Sequence, residues 1–377
     1  MLDFEGRALR AELIGLFGRP IDEPLSDDAF TEVALRVFAY QYTHNAPYAA
    51  YCRRRGLQPG AIDHWSRIPA VPTAAFKEIA LVSGEADRAE AVFRTSGTTR
   101  GRERRGEHYI LDLSVYHDSL LPNFAAYLLP DGAELPILSL VPPVEQMLDS
   151  SLAHMIDVVM DRLGAEGSRS FATVAAGIEY DALDDALRRY AAEGTPVLVV
   201  GTSFAFVHWT DRLRERGEAH RLPAGSRLMD TGGFKGRSRV VPEDELRATY
   251  AALLGIPEDH VVNEYGMTEM CSQFYDAVLR ERVVRGEAGP RRKVPPPWVR
   301  TLAVDPETLE PVPPGEIGIL RHHDLANLGS VATVQTEDLG RVDGDGFVVL
   351  GRAGGAPPRG CSIAMDMLVE AAEERRR

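Results

Sequence analysis

The chain has 377 residues, 44% hydrophobic and 26% charged, with 42 Lys+Arg against 56 Asp+Glu and a net charge of −14. That length implies two domains, or one large α/β body with a small appendage, in a globular chain able to bury a core. The acidic balance excludes nucleic acid and anionic membrane as main partners, and no apolar run of about 18 residues is present to form a membrane span.

Residues 1–90 read as a helical N-terminal region. Asp27 and Asp28 start a helix whose apolar positions recur through Phe30, Val33, Leu35 and Val37. The segment 66–76 (SRIPAVPTAAF) is a proline-punctuated loop leading to Lys77. From residue 91 to 285 the pattern is that of an α/β core. PILSLV (136–141), PVLVV (196–200), RLMDT (227–231) and HVVNEY (260–265) fit buried parallel strands, with helices at 147–163 and 181–194 between or beside them. This is the signature of a doubly wound, largely parallel sheet that binds ligands at the C-terminal ends of its strands.

After Gly286 the texture changes to a small β-rich subdomain, 286–352. GPRRKVPPPW (289–298) is excluded from helix and central strand, whereas 301–324 and 340–352 read as hairpins with Asp/Gly turns. A tail, 353–377, runs as a Gly/Pro loop into a short helix ending in charge.

Four segments carry chemistry. In FRTSGTTRGRERRGEHY (93–109) the small residues Thr95, Ser96, Gly97, Thr98 and Thr99 let N–H groups and hydroxyls close around phosphate oxygens. Arg94, Arg100, Arg102, Arg104 and Arg105 supply there a positive field that the protein as a whole lacks. The segment is no P-loop, since GxxxxGK[ST] is absent, and alone it could equally be a polar turn. In VVNEYGMTEM (261–270) a buried strand delivers Asn263, Tyr265, Gly266, Thr268 and Glu269 into a tight turn. Such a tyrosine can stack on a purine, a hydroxyl can meet phosphate and a carboxylate can hold Mg²⁺; alone, it could be a strand exit with a core tyrosine. In MDTGGFKG (229–236), Gly232 and Gly233 permit close approach of a flat ring and Lys235 follows, although a helix-start turn reads the same way. Asp338 can accept ribose hydroxyls and Arg352 can neutralise a phosphate, or each can be a surface ion-pair residue.

In this order, SGTT, GG, YGMTE, an acid and GR, the chain resembles the adenylate-forming (acyl-activating) superfamily over about 93–352. The resemblance implies that Thr95–Thr99 cradle the phosphates of ATP, and that Gly232, Gly233 and Tyr265 hold the adenine. It further implies that Glu269 binds Mg²⁺ and that Asp338 and Arg352 grip the ribose. Two departures stand out. Arg100 takes the place of the usual phosphate lysine, and the 25 residues after Arg352 contain no lysine, so a truncated segment replaces the family's mobile C-terminal lid. Of three lysines in the chain (Lys77, Lys235, Lys293), Lys235 is the expected substitute for the lid's catalytic residue.

Phe76-Lys77, TGGFK and a terminal RGCS look like the LuxE-type acyl-protein synthetases of bacterial luminescence. These activate a fatty acid as acyl-AMP and carry the acyl group on a C-terminal cysteine, here Cys361. By itself Cys361 could equally be an incidental thiol. Arg359 and a Gly-rich tether beside it favour a mobile thiol of lowered pKa. Cys52 and Cys271 read as buried small hydrophobes. Walls of an acid pocket are expected from 139–160 and 201–209, with Ser151, His154 and Phe204 as contacts, although His154 also fits a core edge. No GxSxG elbow supports serine hydrolysis.

The expected activity is ATP- and Mg²⁺-dependent activation of a fatty or aryl carboxylic acid, followed by acyl transfer to a thiol. That thiol would be Cys361, an acyl-carrier protein, a reductase partner or coenzyme A. The alternatives are an acyl-CoA ligase of the phenylacetate type and a catalytically silent nucleotide-binding partner. Three separated cysteines and no signal pattern at the N-terminus set the expected location in the cytoplasm.

Overall fold

The structure, a computed structural model, describes residues 2–95, 104–232, 241–353, 364–365 and 367–370. The chain forms two compact units, one of Met1–Pro122, Met267–Gln273 and Lys293–Arg377, the other of Asn123–Gly266 and Phe274–Arg292.

In the second unit the apolar runs become a parallel sheet. Ile137–Ser139, Leu198–Thr202, Arg227–Thr231 and Val261–Tyr265 lie side by side, with Leu138 opposite Val199, Val199 opposite Leu228 and Leu228 opposite Val261. Arg169–Ser170 adds a parallel edge, and Phe274–Asp276 pairs antiparallel with Val261–Tyr265. Ile137–Ser139, Leu198–Thr202 and Arg227–Thr231 are buried at successive positions rather than in alternation because both faces are covered. Against them pack the helices Tyr180–Glu193, Ser203–Arg216 and Glu243–Leu254, through Leu183, Leu187, Phe206, Trp209, Leu213 and Tyr250. The first two helices stop at Gly194 (φ 70°) and Gly217 (φ 63°), left-handed positions that favour glycine. The helix expected over 147–163 starts only at Ser151, because the Ser150 hydroxyl accepts from Ala153 N (3.2 Å) and caps it there.

The first unit opens with the helices Phe4–Phe17, Asp27–His44 and Ala46–Arg54. Ser26 caps the second by accepting from Ala29 N, with Asp27 and Asp28 in its first turn. Its buried stripe is Phe30, Val33, Ala34, Val37, Phe38 and Gln41. Leu35 falls off that 3.6-residue stripe and is half-buried. The helices of more than one turn end at Arg54; beyond it, 55–90 holds the one-turn helix Ala75–Glu78, two short turns and the short strand Val71–Pro72.

The antiparallel part of this unit is Val299–Val304, Ile317–Asp324, Thr333–Asp343 and Gly346–Arg352. The last two are joined by a tight turn in which Asp343 faces Gly346 and Gly344 adopts φ 59°. Two segments read as non-strand do pair. Val71–Pro72 runs parallel to Val334–Gln335. Lys293–Val294, inside 289–298, pairs antiparallel with Phe347, since the proline run begins only after Val294. Among the described residues no helix is long and apolar enough to cross a membrane.

Cys52 and Cys271 are both buried, as expected, and burial pushes the Cys52 thiol up to about 12. His322 and His323 are also buried, their Nδ1 atoms bonded to the hydroxyls of Thr301 (2.9 Å) and Thr333 (3.0 Å). Burial pushes His322 down to about 3, His323 well below its usual range, and His108 down to about 4. Between pH 6.5 and 5 the unfolded chain therefore binds protons that the folded chain refuses, so stability falls with falling pH. The expected slope approaches about 1.4 kcal/mol per pH unit for each histidine. Urea unfolding at pH 7, 6 and 5 measures it, and His108→Asn, which removes one titrating ring, should flatten the slope.

Candidate functional site

The arginine-rich segment is a hairpin. Ala91–Arg94 pairs antiparallel with Glu107–Ile110, Arg94 opposite Glu107. Thr95 N donates to Gly106 O, and Gly106 N donates back to Thr95 Oγ1, both at 2.9 Å. Arg105 Nε donates to Thr95 O at 2.6 Å. These bonds tie Thr95 to Arg105 and Gly106. Arg94 pairs with Glu107 Oε1 at 3.0 Å, so two of the cluster's arginines help to build the hairpin. The Tyr109 hydroxyl and Arg94 hold the Glu107 carboxyl below its usual range against a modest opposing effect of burial. A Cβ at Gly106 would sit 3.0 Å from the Thr95 methyl, so a larger residue there would press the threonine aside. Ser96, Gly97, Thr98, Thr99 and Arg100 lie outside the described residues, as do Gly233, Lys235 and Cys361.

In the second unit, parallel pairing sets Asn263 opposite Asp230 and Glu264 opposite Thr231. Asn263 Nδ2 donates to Asp230 Oδ1 at 2.8 Å, and the Tyr250 hydroxyl donates to Asp230 Oδ2 at 3.2 Å. Thr231 Oγ1 donates to the Glu264 carboxylate. Beyond the strand ends, Gly232 has φ 75° and open space where a Cβ would stand, while its carbonyl accepts from Ser203 Oγ at 2.9 Å. At Gly266 a Cβ would meet Glu264 Oε1, so a larger residue there would have to displace that carboxylate. Tyr265 is half-buried, its ring 5.9 Å from that of Phe274, which separates it from the fully buried core tyrosines such as Tyr250. Also in this unit, Ser151 and His154 lie one turn apart on Ser151–Leu163, both half-buried. Phe204, half-buried, stands just after the Thr202 cap of the helix Ser203–Arg216, its ring 4.4 Å from that of His208.

The rest of the YGMTE turn, Met267–Gln273, belongs to the first unit. A buried polar network holds it there. His108 Nδ1 donates to Thr268 O at 2.7 Å, and Asn327 Nδ2 donates to Glu269 O at 2.9 Å. Asp324 accepts from Cys271 N (3.1 Å), Ser272 N (2.9 Å), Ser272 Oγ (2.7 Å) and Ala326 N (3.0 Å). Burial raises the Asp324 carboxyl above its usual range, and these bonds act against that rise. Trp298 Nε1 donates to Ser272 Oγ at 3.0 Å. The Glu269 side chain ends this turn, with the residue only 8% exposed. His108, Asp324 and Asn327 were not singled out from sequence. For Asp324 and Asn327 the available signal was a run of polar residues, HHDLAN, inside an apolar strand and its exit, and His108 lies outside that run.

In the same unit Asp338 faces Arg352 across adjacent strands, with Nε 3.6 Å from Oδ1. The structure thus joins this expected pair, with the Arg352 side chain 65% exposed. Among the described residues no three His, Cys, Asp or Glu side chains gather into a cation cage. Mg²⁺ beside a nucleotide needs no such cage, because phosphates and water fill most of its coordination and one or two carboxylates suffice.

A parallel sheet with these turns at its strand ends is the fold of adenylate-forming ligases. An open conformation of 2-hydroxyisobutyryl-CoA ligase in complex with 2-HIB-AMP and CoA superposes with a TM-score of 0.63 at 15% identity, covering 88% of this chain and 71% of that one. ATP-bound MatB from Rhodopseudomonas palustris matches at 20% identity and a TM-score of 0.49 over 73% of this chain, which spans half of MatB's length (50%). The acyl-protein synthetase (LuxE) family matches residues 169–369, more than half the chain, and the chain belongs to that family. The long-chain-fatty-acid–luciferin-component ligase of Vibrio harveyi is 22% identical over 346 residues, 87% of this chain and 85% of the relative.

Asp324→Ala leaves several buried donors without an acceptor. It should cost about 3–5 kcal/mol, measured by denaturant unfolding at pH 7, whereas loss of under 1 kcal/mol would show that the turn does not depend on this carboxylate.

Proposed function

We propose that the chain is an ATP-dependent acid–thiol ligase that activates a fatty acid as acyl-AMP and passes the acyl group to a thiol. Membership of the acyl-protein synthetase family over 169–369 carries this reading. The Asn263–Glu269 motif at the C-terminal end of a parallel strand, where such sheets bind ligands, supports it. The name of the Vibrio harveyi relative favours a long aliphatic acid over an aryl one.

In the first half-reaction a carboxylate oxygen attacks the α-phosphorus and the bond to pyrophosphate breaks. The work is positioning and charge neutralisation rather than general acid–base transfer. We assign Thr95–Thr99 and Arg100 to the phosphates, Gly232, Gly233, Asn263, Tyr265, Gly266 and Thr268 to the adenine end and its turn, and Asp338 with Arg352 to the ribose. Glu269 would hold Mg²⁺, which would draw off negative charge from the phosphates. Lys235 stands in for the family's catalytic lysine. Ser151, His154 and Phe204 contribute to the acid pocket. In the second half-reaction a thiolate attacks the acyl carbonyl, the bond to AMP breaks and a thioester forms, with Cys361 as acceptor.

A second reading, release to coenzyme A, is favoured by the fold shared with a CoA ligase. It differs in leaving no acyl-enzyme.

Carboxylate-dependent ATP–pyrophosphate exchange across fatty, aryl and amino acids tests adenylation; exchange with none of them would overturn it. Glu269→Gln should lower the exchange rate at least about 100-fold while unfolding as the wild type does. Cys361→Ser should leave exchange intact and abolish the hydroxylamine-sensitive acyl-protein; a label that persists would place the nucleophile elsewhere.

A further inference from the structure

We propose that Asp230 sets which nucleotide base the site accepts, by fixing which end of the Asn263 side-chain amide points away from it. The inference rests on the nucleotide reading above and names a residue to which that reading gave no role.

Asp230 is buried, 5% exposed, in the middle of the parallel sheet between Gly201 and Asn263. One carboxylate oxygen accepts from Asn263 Nδ2 at 2.8 Å and the other from the Tyr250 hydroxyl at 3.2 Å. Tyr250 is itself fully buried. Its phenol is pushed well above its usual range, by burial first and by the Asp230 charge second, so it remains a donor. A carboxylate only accepts. The amide of Asn263 must therefore turn its NH₂ toward Asp230, because the flipped amide would place carbonyl oxygen against carboxylate oxygen in a buried setting. Its carbonyl then points the opposite way.

Asn263 and Tyr265 are two residues apart on one extended strand and share a face. A purine lying on Tyr265 brings its edge toward Asn263. A carbonyl acceptor there pairs with the 6-amino group of adenine and repels the 6-oxo group of guanine or hypoxanthine. Asp230 is on this account a positioning residue that acts through Asn263.

The test is the ratio of kcat/KM for ATP to that for ITP in pyrophosphate exchange, with thermal unfolding recorded alongside. Asp230→Asn keeps the shape but can donate, so Asn263 loses its fixed orientation. The ATP:ITP ratio should fall at least about tenfold. Asn263→Ala should lower the ratio to the same level, and the double variant should lower it no further. A purely structural Asp230 would slow both nucleotides alike and leave the ratio unchanged, which would overturn the proposal. Should Asp230→Asn fail to fold, an unchanged ratio in Asn263→Ala overturns it instead. Displacement of a fluorescent adenine nucleotide by ATP and by ITP reads the same preference without turnover. Absence of exchange in the wild type would then count against the ligase reading alone, and equal displacement by the two nucleotides against the role of Asp230.

Discussion

The parallel register between Arg227–Thr231 and Val261–Tyr265 is the constraint on which the site depends. It sets Asp230 beside Asn263 and Thr231 beside Glu264, and brings both strands to their ends one residue before a glycine, of which Gly232 has a left-handed φ of 75°. A parallel pair cannot be closed by a hairpin, so the chain between them must include a crossover. Here that crossover contains Glu243–Leu254, and Tyr250 on it donates to Asp230. Register, crossover helix and site polarity are thus one arrangement rather than three.

The remainder of the motif depends on a different device. Met267–Gln273 has no ladder to align it within its own unit and is fixed by acceptors and donors buried around it: the Asp324 carboxylate, the Asn327 amide and a neutral His108. Buried polar groups of this kind specify one conformation because every alternative leaves a donor or acceptor unmet in a medium that cannot replace water. The arginines that frame 96–103 add a third device, since Arg94 and Arg105 bind the hairpin on both sides of the segment.

What could be read in the sequence was local. The four parallel strands, the start of the helix at Asp27 and the Asp343–Gly346 turn all follow from apolar runs, a cap and turn residues within a few positions of one another. The pairing of Val71–Pro72 was hidden because its partner, Val334–Gln335, is far along the chain. Lys293–Val294 was hidden by the prolines that follow it. Asp338 and Arg352, paired from sequence either as ribose contacts or as surface ion-pair residues, do lie side by side. His108, Asp324 and Asn327 went unseen because a buried, satisfied polar residue has the same letter as an exposed one. Only its hydrogen bonds tell them apart, and those are not local.

The path of the chain through its two units bears on how the protein is made. Asn123–Gly266 and Phe274–Arg292 complete the second unit when residue 292 has been added. The first unit cannot close then, because Val71–Pro72 and the N-terminal helices belong with strands that end at Arg352. At a synthesis rate of roughly 5–20 residues per second, the apolar stripe from Phe30 to Gln41 waits on the ribosome for tens of seconds before its partners exist. Once residue 292 has been added, and for the roughly 3–12 s that 293–352 then take at that rate, the nascent chain pairs a finished α/β body with an unsheltered amphipathic helix. The pace of synthesis across 293–352 thus sets how long that helix stays uncovered.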